Sequence, residues 1–332
     1  MKLLLIALII LLLPFPTAVR AQPPGISAVD RLRLAEAFGL GDALSEQIWR
    51  GWLNAPFAVL LVTPEHEFLV RHPKPPGGFT SLGYDSLLKS DVCYRKRSFP
   101  TNFLATFPAV DAVPTIVVGQ AENTAVKTST PWIVTLLHEH FHQLQMSQPT
   151  YNADVDGLNL SRGDKTGMWM LNFPFTYDSA RVKDGFSTLA KSLWDAIQAT
   201  ETDFRPKLAA YRNARRQFQE MLSADDYRYF SFQLWQEGIA RYTEYHIARL
   251  AAAEYKATQE FRSLKDFTAF DAVAESLLKG ILGELSSLPL GDYRRVAFYP
   301  LGAGEGLLLD RANPEWRNRY FADKFYLDRY FN

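Results

Sequence analysis

His138-Glu139-His140-Phe141-His142 sets two imidazoles four residues apart, with a carboxylate directly after the first. Residues four apart on an α-helix lie nearly one above the other, so His138 and His142 can aim two ring nitrogens at one metal ion. Glu139 sits beside them, where it can take a proton from a water held at that ion. The flanks read as helix. Ser129-Thr130 ahead of Pro131 offers an N-cap and a proline for the first turn. A mainly apolar run then extends from Trp132 to Leu137 and on through Phe141, Leu144 and Met146.

A catalytic zinc takes three protein ligands and keeps one position open. A third histidine just downstream would need the H-E-x-x-H-x-x-G-x-x-H spacing. Gln143, Leu144 and Gln145 follow instead, without the required Gly and His. The other source is a glutamate from a later helix, and Trp235-Gln236-Glu237-Gly238-Ile239-Ala240-Arg241-Tyr242-Thr243-Glu244 supplies Glu237. Gly238 and Ala240 are small enough to let this helix approach the metal helix closely. An ion pair between Glu237 and Arg241, one turn apart on a surface, is the competing reading.

Taken together, these residues resemble the gluzincin peptidases, and locally the catalytic core of the aminopeptidase N family. His138-Glu139-x-x-His142 matches the zinc helix. Glu237 to Glu244 is similar to the E-G-F-A-x-Y-x-E segment that carries that family's third ligand. Tyr299-Pro300-Leu301-Gly302-Ala303 is similar to Y-x-K-G-A, whose tyrosine stabilises the tetrahedral oxyanion. Gly119-Gln120-Ala121-Glu122-Asn123 is similar to G-A-M-E-N, which holds the substrate's free amino terminus. All four occur in the family's order. The resemblance implies zinc on His138, His142 and Glu237, with Glu139 as general base and Tyr299 as oxyanion donor. Tyr293 is the alternative phenol. It also implies an amine-binding role for Glu122, although a strand exit and turn explains Gly119 to Asn123 as well. The chain departs from the family in its spacing: 94 residues separate His142 from Glu237. A large insertion, about Ser147 to Phe230, is therefore expected between the ligands, and there is no room for the family's additional domains.

The elements that would position these residues surround them. Short helices are expected at Ser27 to Ala37 and Asp42 to Trp52, broken at Gly39 and Gly41. Phe57 to Val62 and Phe68 to Val70 predict a hairpin, with His66 and His72 at its tip and exit. Further strands are expected at Asp91 to Arg97 and at Thr115 to Val118, the latter offering an edge to an extended peptide. Tyr151 to Phe175 reads as irregular, with Trp169, Phe173, Phe175 and Tyr177 as core or cleft wall. Within it, Asn152-x-Asp154-x-Asp156-Gly157 has the opening of a calcium loop but lacks the closing glutamate. Calcium there competes with an ordinary acidic loop. Helices are predicted at Asp184 to Ala199, Pro206 to Leu222, Ala224 to Tyr255 and Leu264 to Leu282. The order predicts an α+β, zincin-like two-lobed fold with a cleft between lobes. A mixed-sheet lobe over 22–146 ends in the zinc helix, and a mainly helical lobe covers 147–332.

Met1-Lys2 followed by apolar Leu3 to Leu13 and Val19-Arg20-Ala21 predicts a signal peptide over 1–21. That predicts a secreted or periplasmic protein with no lasting membrane span, an uncleaved N-terminal anchor being the alternative. Lys and Arg number 36, as do Asp and Glu, and no long single-sign run occurs, which argues against nucleic acid as a partner. A single cysteine, Cys93, excludes an internal disulfide and reads as a buried small hydrophobe. The expected function is an exported zinc peptidase acting on peptides or proteins. The alternative is a non-catalytic zinc- or peptide-binding envelope protein on the same scaffold.

Overall fold

The computed structural model describes residues 24–74 and 77–331. The expected signal peptide lies outside them. Six strands form one mixed sheet: β1 Val59–Val62, β2 His66–Val70, β3 Thr80–Asp85, β4 Ser90–Lys96, β5 Leu104–Val110 and β6 Val113–Gly119. Their order is β3-β4-β2-β1-β6-β5. The β1–β6 pair is parallel and every other pair is antiparallel. The hairpin expected from Phe57 to Val70 forms with Val59 opposite Val70. β6 runs between β1 and β5, so it is not an edge, contrary to the expectation for Thr115 to Val118. β3 forms the far edge of the sheet, and the edge on this side is β5, which the sequence conceals. Leu-Ala-Thr-Phe-Pro-Ala-Val carries Pro108 and a register shift between Phe107 and Val110, features that edge strands tolerate. β3 was equally hidden, because it is exposed along most of its length and has no apolar alternation to betray it.

Helix α1 Ala28–Ala43 runs straight through Gly39 and Gly41. Gly41 does not break it; a Cβ there would meet Leu137 at 3.0 Å and Phe57 and Trp52 at 3.3 Å, so this glycine lets α1 lie close to its neighbours. Helix α2 Ser129–Met146 carries His138, Glu139 and His142, and it is buried on nearly every side. A helix buried in this way, its histidines and glutamines included, lies within the core. The main hydrophobic cluster accordingly joins α2 to one face of the sheet through Ile116, Val118, Leu136 and Phe141. A smaller cluster, with Leu60, Val62 and Val117, fills the other face, and Cys93 packs against it half-buried. The N-terminus of α2 is not capped by Ser129 or Thr130. Asp266 accepts from the Ser129 N–H at 2.9 Å and from its hydroxyl at 2.8 Å, so the cap comes from a residue 137 positions away.

The remaining long helices are α3 Ala180–Ile197, α4 Phe204–Met221, α5 Ala224–Gln233, α6 Ile239–Glu254, α7 Phe270–Ser287 and α8 Phe298–Ala312. The helix expected over Ala224 to Tyr255 is α5 and α6 joined by a π turn, Leu234–Gly238. Such turns insert a residue into the helical register and recur at functional sites. No helix was expected at α8, because Pro300, Gly302, Gly304 and Gly306 are poor helix formers. The architecture is α+β: a mixed sheet in the N-terminal part, then helices. Among the described residues no helix is long and apolar enough to cross a membrane.

Candidate metal centre

His138 and His142 project from successive turns of α2 with their Nε2 atoms 3.2 Å apart. Glu237, in the π turn, brings Oε2 to 3.6 Å from His142 Nε2. One donor atom from each of the three lies within 4.8 Å of the others, and this is the only such group among the described residues. A tetrahedral ion with ligand bonds of about 2.0–2.1 Å holds its donors about 3.3 Å apart. Two edges of the triad, 3.2 Å and 3.6 Å, lie near that length, and the third is within 4.8 Å. The group could therefore hold a metal ion. Arg241 does not compete for Glu237; it pairs with Glu244 and Glu284, each at 3.2 Å.

The surroundings fix both imidazoles. Gln145 gives its amide N–H to the carbonyls of Trp235 and Gln236 and to Tyr320 Oη, which leaves its carbonyl oxygen to accept from His142 Nδ1 at 2.7 Å. With Nδ1 protonated, His142 Nε2 presents a lone pair. The same glutamine ties α2 to the π turn that carries Glu237. On His138, Nδ1 lies 2.9 Å from Glu244 Oε1, although outside hydrogen-bond alignment. That is the carboxylate–histidine pairing that orients metal-bound imidazoles. Two imidazole Nε2 atoms and a carboxylate thus face one point.

Such an arrangement attracts positive charge. Burial disfavours a charged His142, but the hydrogen bond and charge of Glu237, with Glu139, push its pKa up to about 9. Burial also disfavours a charged Glu237, yet His142, His138 and Arg295 hold it down to about 2. A metal ion would take the place of that shared proton.

Glu139 is placed between α2 and the sheet edge. Thr106 of β5 lies 2.7 Å from Glu139 Oε2 and 3.0 Å from its carbonyl oxygen, so its single hydroxyl proton serves one of them at a time. Tyr299 lies at the start of α8, hydrogen-bonded to Arg295. Burial and the neighbouring Glu237 charge drive its phenol well above the usual tyrosine range, against the pull of Arg295. Its proton therefore stays on at any working pH. What brings Tyr299 here is a backbone contact between glycines. A Cβ on Gly238 would meet Gly302 Cα at 2.5 Å, and one on Gly302 would meet Gly238 Cα at 2.7 Å. Gly238 does permit a close approach, as expected, but to α8 and not to the metal helix. Glu237 and Tyr299 flank this crossing, one residue before Gly238 and three before Gly302.

Other expected residues fall elsewhere. Tyr293 is 46% exposed and takes no part in the contacts around Glu237. Glu122 is engaged by the buried Arg33 at 2.8 Å, in a network with Asp30 and Asp266 that ties α1 to the exit of β6. Its carboxylate has no contact with the triad. The calcium loop does not form. Asn152, Asp154 and Asp156 lie on the short helix Tyr151–Gly157, where residues two apart diverge. Asp154 is also taken by Lys324 at 2.8 Å. Trp169, Phe173, Phe175 and Tyr177 pack on one another's neighbours Phe232, Tyr229 and Phe298 as wall and core.

Thr106, Gln145 and Arg295 carry weight that sequence reasoning did not assign, and Glu244 was quoted without a role. For two of them a signal existed. Gln145 is three residues after His142, and Glu244 is seven after Glu237, both on the same helical face. Thr106 had none, since its strand was hidden. In comparisons with protein-family models, curated proteins and solved structures, the chain matches none.

Proposed function

We propose that this chain is a zinc-dependent peptidase of the gluzincin kind, built on a zincin-like fold and exported by its N-terminal apolar segment. The observation that carries the reading is the donor set: two imidazole Nε2 atoms and one carboxylate within 4.8 Å of one another, with a second carboxylate, Glu139, alongside. Two imidazoles with one carboxylate favour zinc over calcium or magnesium, which take oxygen ligands. Glu237 is 20% exposed, whereas His138, Glu139 and His142 are buried, so solvent reaches the group at Glu237.

When bound, zinc supplies a Lewis acid that brings the acidity of a water close to neutral. Glu139, steadied by Thr106, accepts a proton from the attacking water and passes it to the leaving amine. Tyr299 donates its phenol O–H to the peptide oxygen as negative charge develops there. The free edge of β5 pairs with the extended substrate, replacing the role first expected of Thr115 to Val118. Thr106 on that strand then links substrate register to the base.

The test is zinc content of the purified protein beside His142→Ala and Glu237→Ala variants, with peptide cleavage by wild type and Glu139→Gln. About one zinc per chain, lost in both ligand variants, is expected. Glu139→Gln should keep zinc and lose cleavage. A wild-type protein that takes up no zinc on supplementation, or a Glu139→Gln variant of normal activity, would refute the reading.

A further inference from the structure

Arg295 sits on the 3-10 turn Arg294–Ala297 that leads into α8, one helical turn before Tyr299. It is half-buried, and one guanidinium N–H goes to the Tyr299 oxygen. Its guanidinium lies 5.6 Å from the Tyr299 ring centroid. Among the described residues no carboxylate stands at ion-pair distance from it, whereas the adjacent Arg294 pairs with Asp178 at 3.7 Å. Its electrostatic neighbours are Tyr299, Glu237 and Tyr229. Glu237 is committed to the metal centre, and the two phenols are neutral. A guanidinium withdrawn from water normally has a carboxylate partner, because desolvating an unpaired charge is costly. Four of its five N–H groups remain for a ligand.

On the zinc-peptidase reading, we propose that Arg295 receives the C-terminal carboxylate of the substrate, so that the enzyme cleaves peptides close to their carboxyl end. The planar fork of arginine matches a carboxylate with two parallel hydrogen bonds. The Arg295 guanidinium touches the Tyr299 oxygen directly, and an extended peptide advances about 3.3 Å per residue. With the scissile carbonyl at Tyr299, the carboxylate at Arg295 belongs to the first or second residue beyond the cut. Glu122, the residue expected to hold the amino end, is instead paired with Arg33.

Zinc-loaded Glu139→Gln protein is equilibrated with two acetylated tetrapeptide libraries, identical except for a C-terminal carboxylate or carboxamide. Retained peptide is measured by ultrafiltration and mass spectrometry. The carboxylate library is expected to be retained at least ~10-fold more strongly, as befits a charge-assisted bidentate contact. Adding Arg295→Gln should abolish the preference while leaving about one zinc per chain, and Arg295→Lys should keep part of it. Equal retention of both libraries, or retention of neither, overturns the assignment. So does a preference that survives Arg295→Gln. Wild-type cleavage separates the two readings. Equal cleavage of both libraries keeps the peptidase and rejects carboxylate capture. Carboxylate-dependent binding with no cleavage keeps the Arg295 site and rejects the peptidase.

Discussion

Replacing Gly238 by alanine tests whether the glycine crossing builds the site. In an ordinary exposed helix, Gly→Ala stabilises by up to about 1 kcal/mol through the lost flexibility of glycine. At Gly238 the new Cβ would stand 2.5 Å from Gly302 Cα, 3.0 Å from its carbonyl carbon and 3.2 Å from its nitrogen. All three are backbone atoms, so no side chain can swing aside. Normal carbon–carbon contact is about 3.5–4.0 Å, so α8 must move by about 1 Å. Overpacking of this kind costs about 1–3 kcal/mol, which outweighs the propensity gain. A net loss near 2 kcal/mol lowers Tm by roughly 3 °C in a chain of 332 residues. The displacement also separates Glu237 from Tyr299, so zinc affinity should fall and peptide cleavage should drop by about 100-fold. Gly283→Ala is the control, because a Cβ there meets nothing within 4 Å and the residue is exposed on α7. Differential scanning calorimetry of both variants, with zinc analysis, decides the matter. If Gly238→Ala raises Tm as Gly283→Ala should, the crossing does not constrain the site and the account of Tyr299 placement fails.

Three further outcomes follow from the same contacts. Gln145→Ala and Glu244→Gln should each weaken zinc binding by about 10–100-fold without removing a ligand, measured by competition with a chelator; unchanged affinity in both would deny them any orienting role. Arg33→Ala should destabilise by about 3–5 kcal/mol in urea unfolding, since it leaves buried Asp30 facing Asp266 and Glu122 with no cation. The metal-free protein should lose stability as pH falls from 6.5 towards 4. Burial holds His140 and His246 down to about 4, against their hydrogen bonds to Gln143 and the Gln47 carbonyl. The unfolded chain then binds more protons than the folded one across that window, at up to about 3 kcal/mol per histidine. His142 shifts the other way, so its contribution is complete below 6.5 and is lost only as pH rises towards 9. A urea midpoint equal at pH 7 and pH 5 would contradict this.

The metal helix was legible because its information is local. His138, Glu139 and His142 lie within five residues, and helical geometry alone converts that spacing into one face. Glu237 could be proposed because an acidic residue in an apolar stretch is conspicuous and a glycine follows it. The sheet was only half legible. β1 and β6 announce themselves by apolar, β-branched runs and β2 and β4 by their Phe-Leu-Val and Val-Cys-Tyr stretches, whereas β3 is exposed and β5 contains a proline. Glu122 was misplaced for a different reason: its motif is short, and only the fold reveals Arg33 beside it, 89 positions away in the chain.

The sequence by itself determined two candidate ligands, the carboxylate beside them and the helical periodicity that aligns them, since residues close in the chain meet by secondary structure alone. The tertiary structure decided what depends on contacts between distant residues. It set Glu237 near His142 across 94 intervening positions, through the π turn and its tie to Gln145. It chose β5 as the free edge, Gly302 as the partner of Gly238, and Tyr299 over Tyr293 as the phenol beside the carboxylate. Those choices follow from how elements pack, and packing is settled by the shape and burial of the whole core, which no single stretch of the chain encodes.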